Sequence, residues 1–150
     1  DLRGLDLRRI YLSGANLSQV KLNNVDLSWS YLREVNLSEA DLTHANLSSV
    51  NLFRAVLTTT NLTEADLRRT NLRGANLTGA NLYRANLRGA NLFRANLSQA
   101  TLTEATMIGA NTGAADLTQA TLTDANITKE QLSIISSLKQ ATMPNGALRE

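Results

Sequence analysis

The chain has few residues able to do covalent or metal chemistry. His44 is the sole histidine and there is no cysteine, so a zinc site lacks the nitrogen and sulfur ligands it needs at one point. Without cysteine there is no thiolate nucleophile and no disulfide, and the redox compartment stays open. Serines and threonines are abundant, but a hydroxyl becomes a nucleophile only beside a base that takes its proton, and no such base partners them here. Neither G-x-x-x-x-G-K-[ST] nor G-x-G-x-x-G is present to cradle a phosphate. Asparagine and aspartate recur along the chain, as at Asp66, Asn76 and Asn81. Calcium needs several charged oxygens converging on one ion. Here asparagine dilutes the acids, and the short side chains suit hydrogen bonds to neighbouring backbone at chain corners. The expectation is a protein without catalytic, cofactor-binding or metal site.

The elements that carry these residues follow from a period of five. Leucine occupies 24 of the 27 positions of one register running from Leu2 to Leu132, the exceptions being Met107, Thr112 and Ile127. Two residues before nearly all of these positions stands a small or β-branched residue, which is alanine without a break from Ala75 to Ala125. The residue between is mostly Asn or Asp, and the remaining two positions vary. Five fits neither the 3.6-residue helix nor the two-residue strand, and a coiled-coil seam needs 3.5. Each repeat must be a short extended segment, with its Ala and Leu on one side of the chain, followed by a turn. Six of the eight glycines, among them Gly14, Gly74 and Gly89, fall at the second variable position. That position of a type II turn requires positive φ. A hydrophobic content of 43% with only 4% aromatics agrees with a core built almost wholly of Leu and Ala.

The motif A-[ND]-L-x-x, as in Ala75-Asn76-Leu77, resembles the pentapeptide-repeat family over about residues 1–127. The resemblance implies an all-β solenoid: a right-handed quadrilateral parallel β-helix with four pentapeptides per coil. About six and a half coils would stack at ~4.8 Å into a rod roughly 30 Å long. Residues 20 apart would then share a side. One side would carry Tyr11, Tyr31, Arg33, Phe53, Arg54, Arg73, Phe93 and Arg94, and the side before it Arg8, Arg9, Trp29, Arg68, Arg69 and Arg88. A third would carry Ser18, Ser38, Thr58, Thr78, Ser98 and Thr118. His44 falls at a variable turn position, where a solvated side chain is expected.

The motif ends after Ile127. Thr128-Lys129-Glu130-Gln131 reads as a capping box, and Leu132, Ile135 and Leu138 lie at helical spacing. This divides the chain into a repeat domain, 1–127, and a segment, 128–150, with a capping helix over 128–139. Pro144-Asn145-Gly146 signals a turn. The tail from Ala141 to Gly146 resembles that of cyanobacterial family members. Thr112, beside Gly113-Ala114-Ala115, reads as a loosely packed coil or a bulge.

Function is expected to be non-catalytic: a scaffold or protein-interaction module with an unidentified protein partner. Arginine among aromatics is the composition of contact surfaces, so Tyr31, Arg33, Phe53, Arg54, Arg73, Phe93 and Arg94 are the candidate partner-binding residues. The competing expectation is that those arginines stack on the aromatics within the protein. Topoisomerase protection by DNA mimicry, known in some members of the family, needs a dense anionic surface and is disfavoured by a pI near 9.3. Nucleic-acid binding through the arginine-rich sides is disfavoured by a net charge of only +2. Ice binding would need a regular hydroxyl array, which the mixed third side weakens. No apolar run reaches the ~20 residues of a membrane helix, no signal peptide is visible, and a cytoplasmic location is expected. Asp1 already lies within the repeat, which points to a chain trimmed from a longer one.

Overall fold

The computed structural model describes residues 2–150. Its unit is the pentad, and the one at Ala75-Asn76-Leu77-Thr78-Gly79 shows how the unit works. The Leu77 N–H donates to the Asn96 carbonyl at 2.7 Å, the Asn96 N–H to the Ala75 carbonyl at 3.0 Å, and the Gly79 N–H to the Ser98 carbonyl at 2.9 Å. The Ala80 N–H closes the turn on the Leu77 carbonyl at 3.0 Å. Single-residue parallel β-bridges at a separation of 20 run from Asp6 with Asp26 to Thr106 with Asn126. One coil is therefore four extended pieces joined by four turns, and each coil lies directly on the last.

The turns are where φ becomes positive. Every second turn position from Gly4 to Asp124 lies in the left-handed region, and most of these residues are not glycine. The ladder holds them there, because the N–H of the left-handed residue donates to the next coil, as Gln19 does to Ser38 at 2.9 Å. The Asn and Asp side chains do what the chain corners require. Their Oδ1 atoms accept the N–H two residues on, as Asn76 does from Thr78 at 3.1 Å and Asp116 from Thr118 at 2.9 Å.

From Leu22 to Leu122 the inward leucines are 1% exposed or less. Burying each contributes about 1.5–3 kcal/mol relative to leaving it in water. Hydroxyls replace the small apolar residue at Ser30, Thr60 and Thr70, all buried. Each donates to the carbonyl of a leucine one coil back: Leu7 at 3.0 Å, Leu37 at 2.7 Å and Leu47 at 2.7 Å. The inward residues of the first coil, Leu7, Leu12 and Leu17, have a coil on one side only and stay half-buried.

The far end differs from expectation in two ways. The capping box exists: Thr128 accepts from the Gln131 N–H, and the Gln131 side chain accepts from the Thr128 N–H. The helix it opens, α1, spans only Lys129–Ser133, not 128–139. Ile134-Ile135-Ser136-Ser137 are all modest helix formers, and the coil beneath offers unpaired backbone groups. Ala114 and Ser136 N–H groups bond across to the Ile134 and Ala115 carbonyls, both at 2.8 Å. Beyond α1 the ladder resumes one residue out of step: Asp116 pairs with Ser137 and Thr121 with Thr142. Pro144-Asn145-Gly146 then reverses the chain, and Leu148 pairs antiparallel with Thr142.

Thr112 is neither loose nor bulged. It is fully buried, and its hydroxyl donates to the Gln131 carbonyl at 2.8 Å. The Gln131 amide in turn donates to the Met107 and Ala110 carbonyls at 2.7 and 2.8 Å. The apparent defect in the leucine register is the seat of the cap.

Candidate interaction surfaces

Stacking by 20 turns single residues into columns, so each side of the rod has its own chemistry. The two adjoining sides formed by positions 6–15 of each coil, counted through residue 115, hold nine arginines and four carboxylates. The two sides formed by positions 16–25, counted through residue 125, hold two cations and six carboxylates. A net charge of +2 thus conceals a rod that is basic on one flank and acidic on the other.

On the phenylalanine side, Arg33, Phe53, Arg73 and Phe93 alternate along one column. The Arg33 and Arg54 guanidiniums lie 5.0 and 5.1 Å from the Phe53 ring centre. Arg73 and Arg94 lie 5.5 and 5.2 Å from that of Phe93. The rings are half-buried and the four arginines exposed, so the intramolecular stacking expected as the alternative is present. Gly113 makes room at the end of the column, since a Cβ there would come 3.2 Å from the Phe93 ring. Tyr31 stands apart from this stack. Its ring lies on Tyr11, with centres 4.7 Å apart and planes 3° from parallel.

The preceding side holds two bidentate pairs at turns. Arg8 grips Asp6 at 2.8 and 2.6 Å, and Arg68 grips Asp66 at the same two distances. The Arg8 hydrogen bonds hold the Asp6 carboxyl down to about 2. At Asp66 partial burial pushes the carboxyl up, but the hydrogen bonds from the Arg68 side chain and backbone outweigh it and leave it below its usual value. Among the described residues no carboxylate pairs with Arg9, Arg69 or Arg88. Trp29, 58% exposed, has neither guanidinium nor ring over its indole among the described residues.

The other two sides are bonded largely to themselves. The Ser38, Thr78 and Thr118 hydroxyls donate to the Asn36, Asn76 and Asp116 side chains at 2.6–2.7 Å. Thr58 donates to Ser38 at 2.9 Å, and a glutamine ladder joins Gln99, Gln119 and Gln140. On the acidic side His44 is half exposed, with Nδ1 3.4 Å from Glu64. Arg84 bonds Glu104 at 2.7 Å and lies over Tyr83, whose hydroxyl also donates to Glu104 at 3.1 Å. The Arg84 hydrogen bond lowers the Glu104 carboxyl.

The family described as Pentapeptide repeats matches in eight copies, over residues 1–28, 21–58, 60–99 and 95–129. The chain belongs to the pentapeptide-repeat family. Among solved structures of pentapeptide-repeat proteins, it is 29% identical to HetL, involved in heterocyst differentiation regulation in the cyanobacterium Nostoc sp. strain PCC 7120. That alignment covers 99% of this chain and 89% of HetL, with a TM-score of 0.36. It is 30% identical to Rfr23 of the cyanobacterium Cyanothece 51142, covering 73% of this chain and 81% of that one, with a TM-score of 0.41. A trypsin-treated form of QnrB1, a plasmid-mediated fluoroquinolone resistance protein, is 14% identical, with 95% and 89% covered and a TM-score of 0.50. At that identity the likeness shows the fold alone. No curated protein matches the sequence.

As a pentapeptide-repeat rod, the chain has its freest choice of residue in the variable turn positions, because the repeat constrains the other three. Stacking by 20 brings Arg33, Phe53, Arg54, Arg73, Phe93 and Arg94 together as expected from the motif. What escaped the sequence reading is which aromatic stays open. Its signal lies on one side only: Ser49 follows in its own column, with Ser28 and Ser48 beside it, while Arg9, one coil back in that column, is not stacked on the indole. Among the described residues no helix is long and apolar enough to cross a membrane.

Proposed function

We propose that this right-handed quadrilateral rod is a non-catalytic scaffold that docks a protein partner on its phenylalanine side, through Tyr31, Arg33, Phe53, Arg54, Arg73, Phe93 and Arg94. The supporting observation is the alternating stack. Four guanidiniums rest 5.0–5.5 Å from two ring centres, so much of their rotamer freedom is already spent in the free protein. Ordering of long side chains is a main opposing term in association, about 0.5–1.5 kcal/mol for each one immobilised. A pre-stacked arginine avoids part of it and still presents its in-plane N–H donors to a carboxylate or carbonyl. Apart from Tyr31, which stands at the Asn or Asp position of the motif, these side chains occupy variable turn positions that Ser, Thr or Gly fill elsewhere.

The test is capture from a lysate of the source organism with two variants as bait. Replacing Phe53, Arg54, Phe93 and Arg94 by serine should remove the specifically captured protein, with hot-spot losses of about 2 kcal/mol or more and an unchanged circular dichroism spectrum. Replacing Thr58, Thr78 and Ser98 by alanine on the neighbouring side should leave capture intact. The opposite pattern would move the docking face to the hydroxyl side. Failure of any bait to capture a specific protein would remove the reading's main support.

A further inference from the structure

The side that precedes the phenylalanine side carries a different arrangement. Its outer features, in order along the rod, are Arg9, Trp29, Ser49 and Arg69 in one turn column, with Arg88 beside the end of it. Trp29 sits at φ 64°, a conformation unfavourable for a bulky residue, and it exposes 58% of its surface. The turn thus holds an indole out from the rod. Open space flanks it on both sides. A depression of about 370 Å³ lies between Trp29 and the arginines Arg68, Arg69 and Arg88, with Ser48 and Ser49 also lining it. A second, of about 710 Å³, lies towards Arg8 and Arg9, with Asp6 and Asp26 also lining it.

The arginines around this indole differ from those of the phenylalanine side. Phe53, Phe93 and Tyr83 are each covered by guanidiniums, whereas Trp29 is not. Arg8 and Arg68 are neutralised by Asp6 and Asp66. Arg9, Arg69 and Arg88 are not, and they face only Asp26 among the remaining acids of this side. Arg9 and Arg88 lie four coils apart, about 19 Å at ~4.8 Å per coil. The site therefore combines an uncovered aromatic face, unpaired cations spaced along a line, and small hydroxyls between them.

We propose that the Arg9–Trp29–Arg69–Arg88 side binds single-stranded nucleic acid lengthwise, with one base stacked on Trp29 and backbone phosphates on the three arginines. Base–aromatic stacking tolerates any sequence, and a basic groove that tracks a flexible backbone supplies the rest. Whole-chain charge argued against this class of ligand, but this side, with five arginines and three aspartates, concentrates an excess of two positive charges along its length. An acidic peptide offers the anions without a flat group for the indole, so the nucleic acid is the better match.

Trp29 is the only tryptophan of the chain, so fluorescence excited selectively at tryptophan, beyond the absorption of the three tyrosines, reports on this site alone. Titrating the full chain with oligo(dT) at low salt should quench that fluorescence saturably. Anisotropy of a labelled oligo(dT) should show that Trp29→Ala weakens binding tenfold or more, and that Trp29→Phe restores part of the loss. Arg69→Gln with Arg88→Gln should flatten the slope of affinity against salt. Lys21→Gln, which removes an exposed cation from the acidic flank, should change neither. Circular dichroism of each variant checks the fold. No quenching by oligo(dT), equal binding of polyglutamate, or equal affinity of Trp29→Ala would each overturn the proposal.

Discussion

Thr59 holds φ at 52° in the left-handed region, where a β-branched side chain crowds its own backbone. Glycine occupies the same column one coil on, at Gly79, whose φ is 65°. A glycine at 59 would relieve the crowding, roughly 1–2 kcal/mol for a residue of this hand, against about 0.5–1 kcal/mol of added unfolded-chain entropy. Thr59→Gly should raise stability by up to about 1 kcal/mol, read as a later urea midpoint at unchanged slope. Leu77 gives the opposite case. It is fully buried between coils, and Leu77→Ala should cost about 2–5 kcal/mol; an untouched midpoint would contradict its place in the core. At this scale most of the structure was legible in the sequence. A side chain needed every fifth position for burial, or every fifth for positive φ, leaves a periodic trace. Trp29 left none, because exposure depends on what the neighbouring coils do not supply.

The element that decides the far end is α1 with its two anchors. Thr112 and Gln131 anchor it with their buried side-chain polar atoms bonded: the Thr112 hydroxyl donates to the Gln131 carbonyl, and the Gln131 amide to the Met107 and Ala110 carbonyls. Gln131→Ala should leave the Ala110 carbonyl without a donor and the Met107 carbonyl with only the turn bond from the Ala110 N–H, a loss of roughly 1–3 kcal/mol. Thr112→Leu, which would restore the leucine register, should destabilise for two reasons: it breaks the bond to α1 and forces extra volume into a closed core, about 1–3 kcal/mol for the volume alone. Denaturant melts of both variants check this, and a more stable Thr112→Leu protein would refute the anchoring role. The capping box was legible because it is local, one side chain reaching its own backbone three residues away. The resumed ladder was not. Ala141-Thr142-Met143 repeats the motif one residue out of step, and that slip makes sense only once α1 is known to take up the extra residue.

Across the whole molecule the two ends are unlike. The far end is closed by α1 and by an antiparallel return, with Arg149 N–H bonded to the Ala141 carbonyl at 2.8 Å and Met143 N–H to the Ala147 carbonyl at 2.7 Å. An antiparallel strand stops a parallel stack, since the next coil no longer finds the pattern it would extend. Removing residues 128–150 should expose the edge beneath and let rods associate end to end. Light scattering would detect the larger species, and an unchanged particle of equal stability would show that the cap is dispensable.

The strict spacing of 20 between bridged residues has a consequence for how such a chain can change length. Excising one whole coil, for example residues 61–80, would shorten the rod by about 4.8 Å and leave every remaining column on its own side. Excising a single pentad, for example residues 61–65, would keep each Leu inward and each turn at its corner, so the fold would accept it almost equally well. Everything downstream would nevertheless arrive a quarter turn early. Phe93 and Arg94 would move out of line with Phe53 and Arg54, and Arg69 and Arg88 would leave the side of Trp29. Stability tolerates edits in units of five, whereas the surface pattern survives only edits in units of 20. Insertions and deletions in this chain thus test separately what holds the rod together and what its sides present.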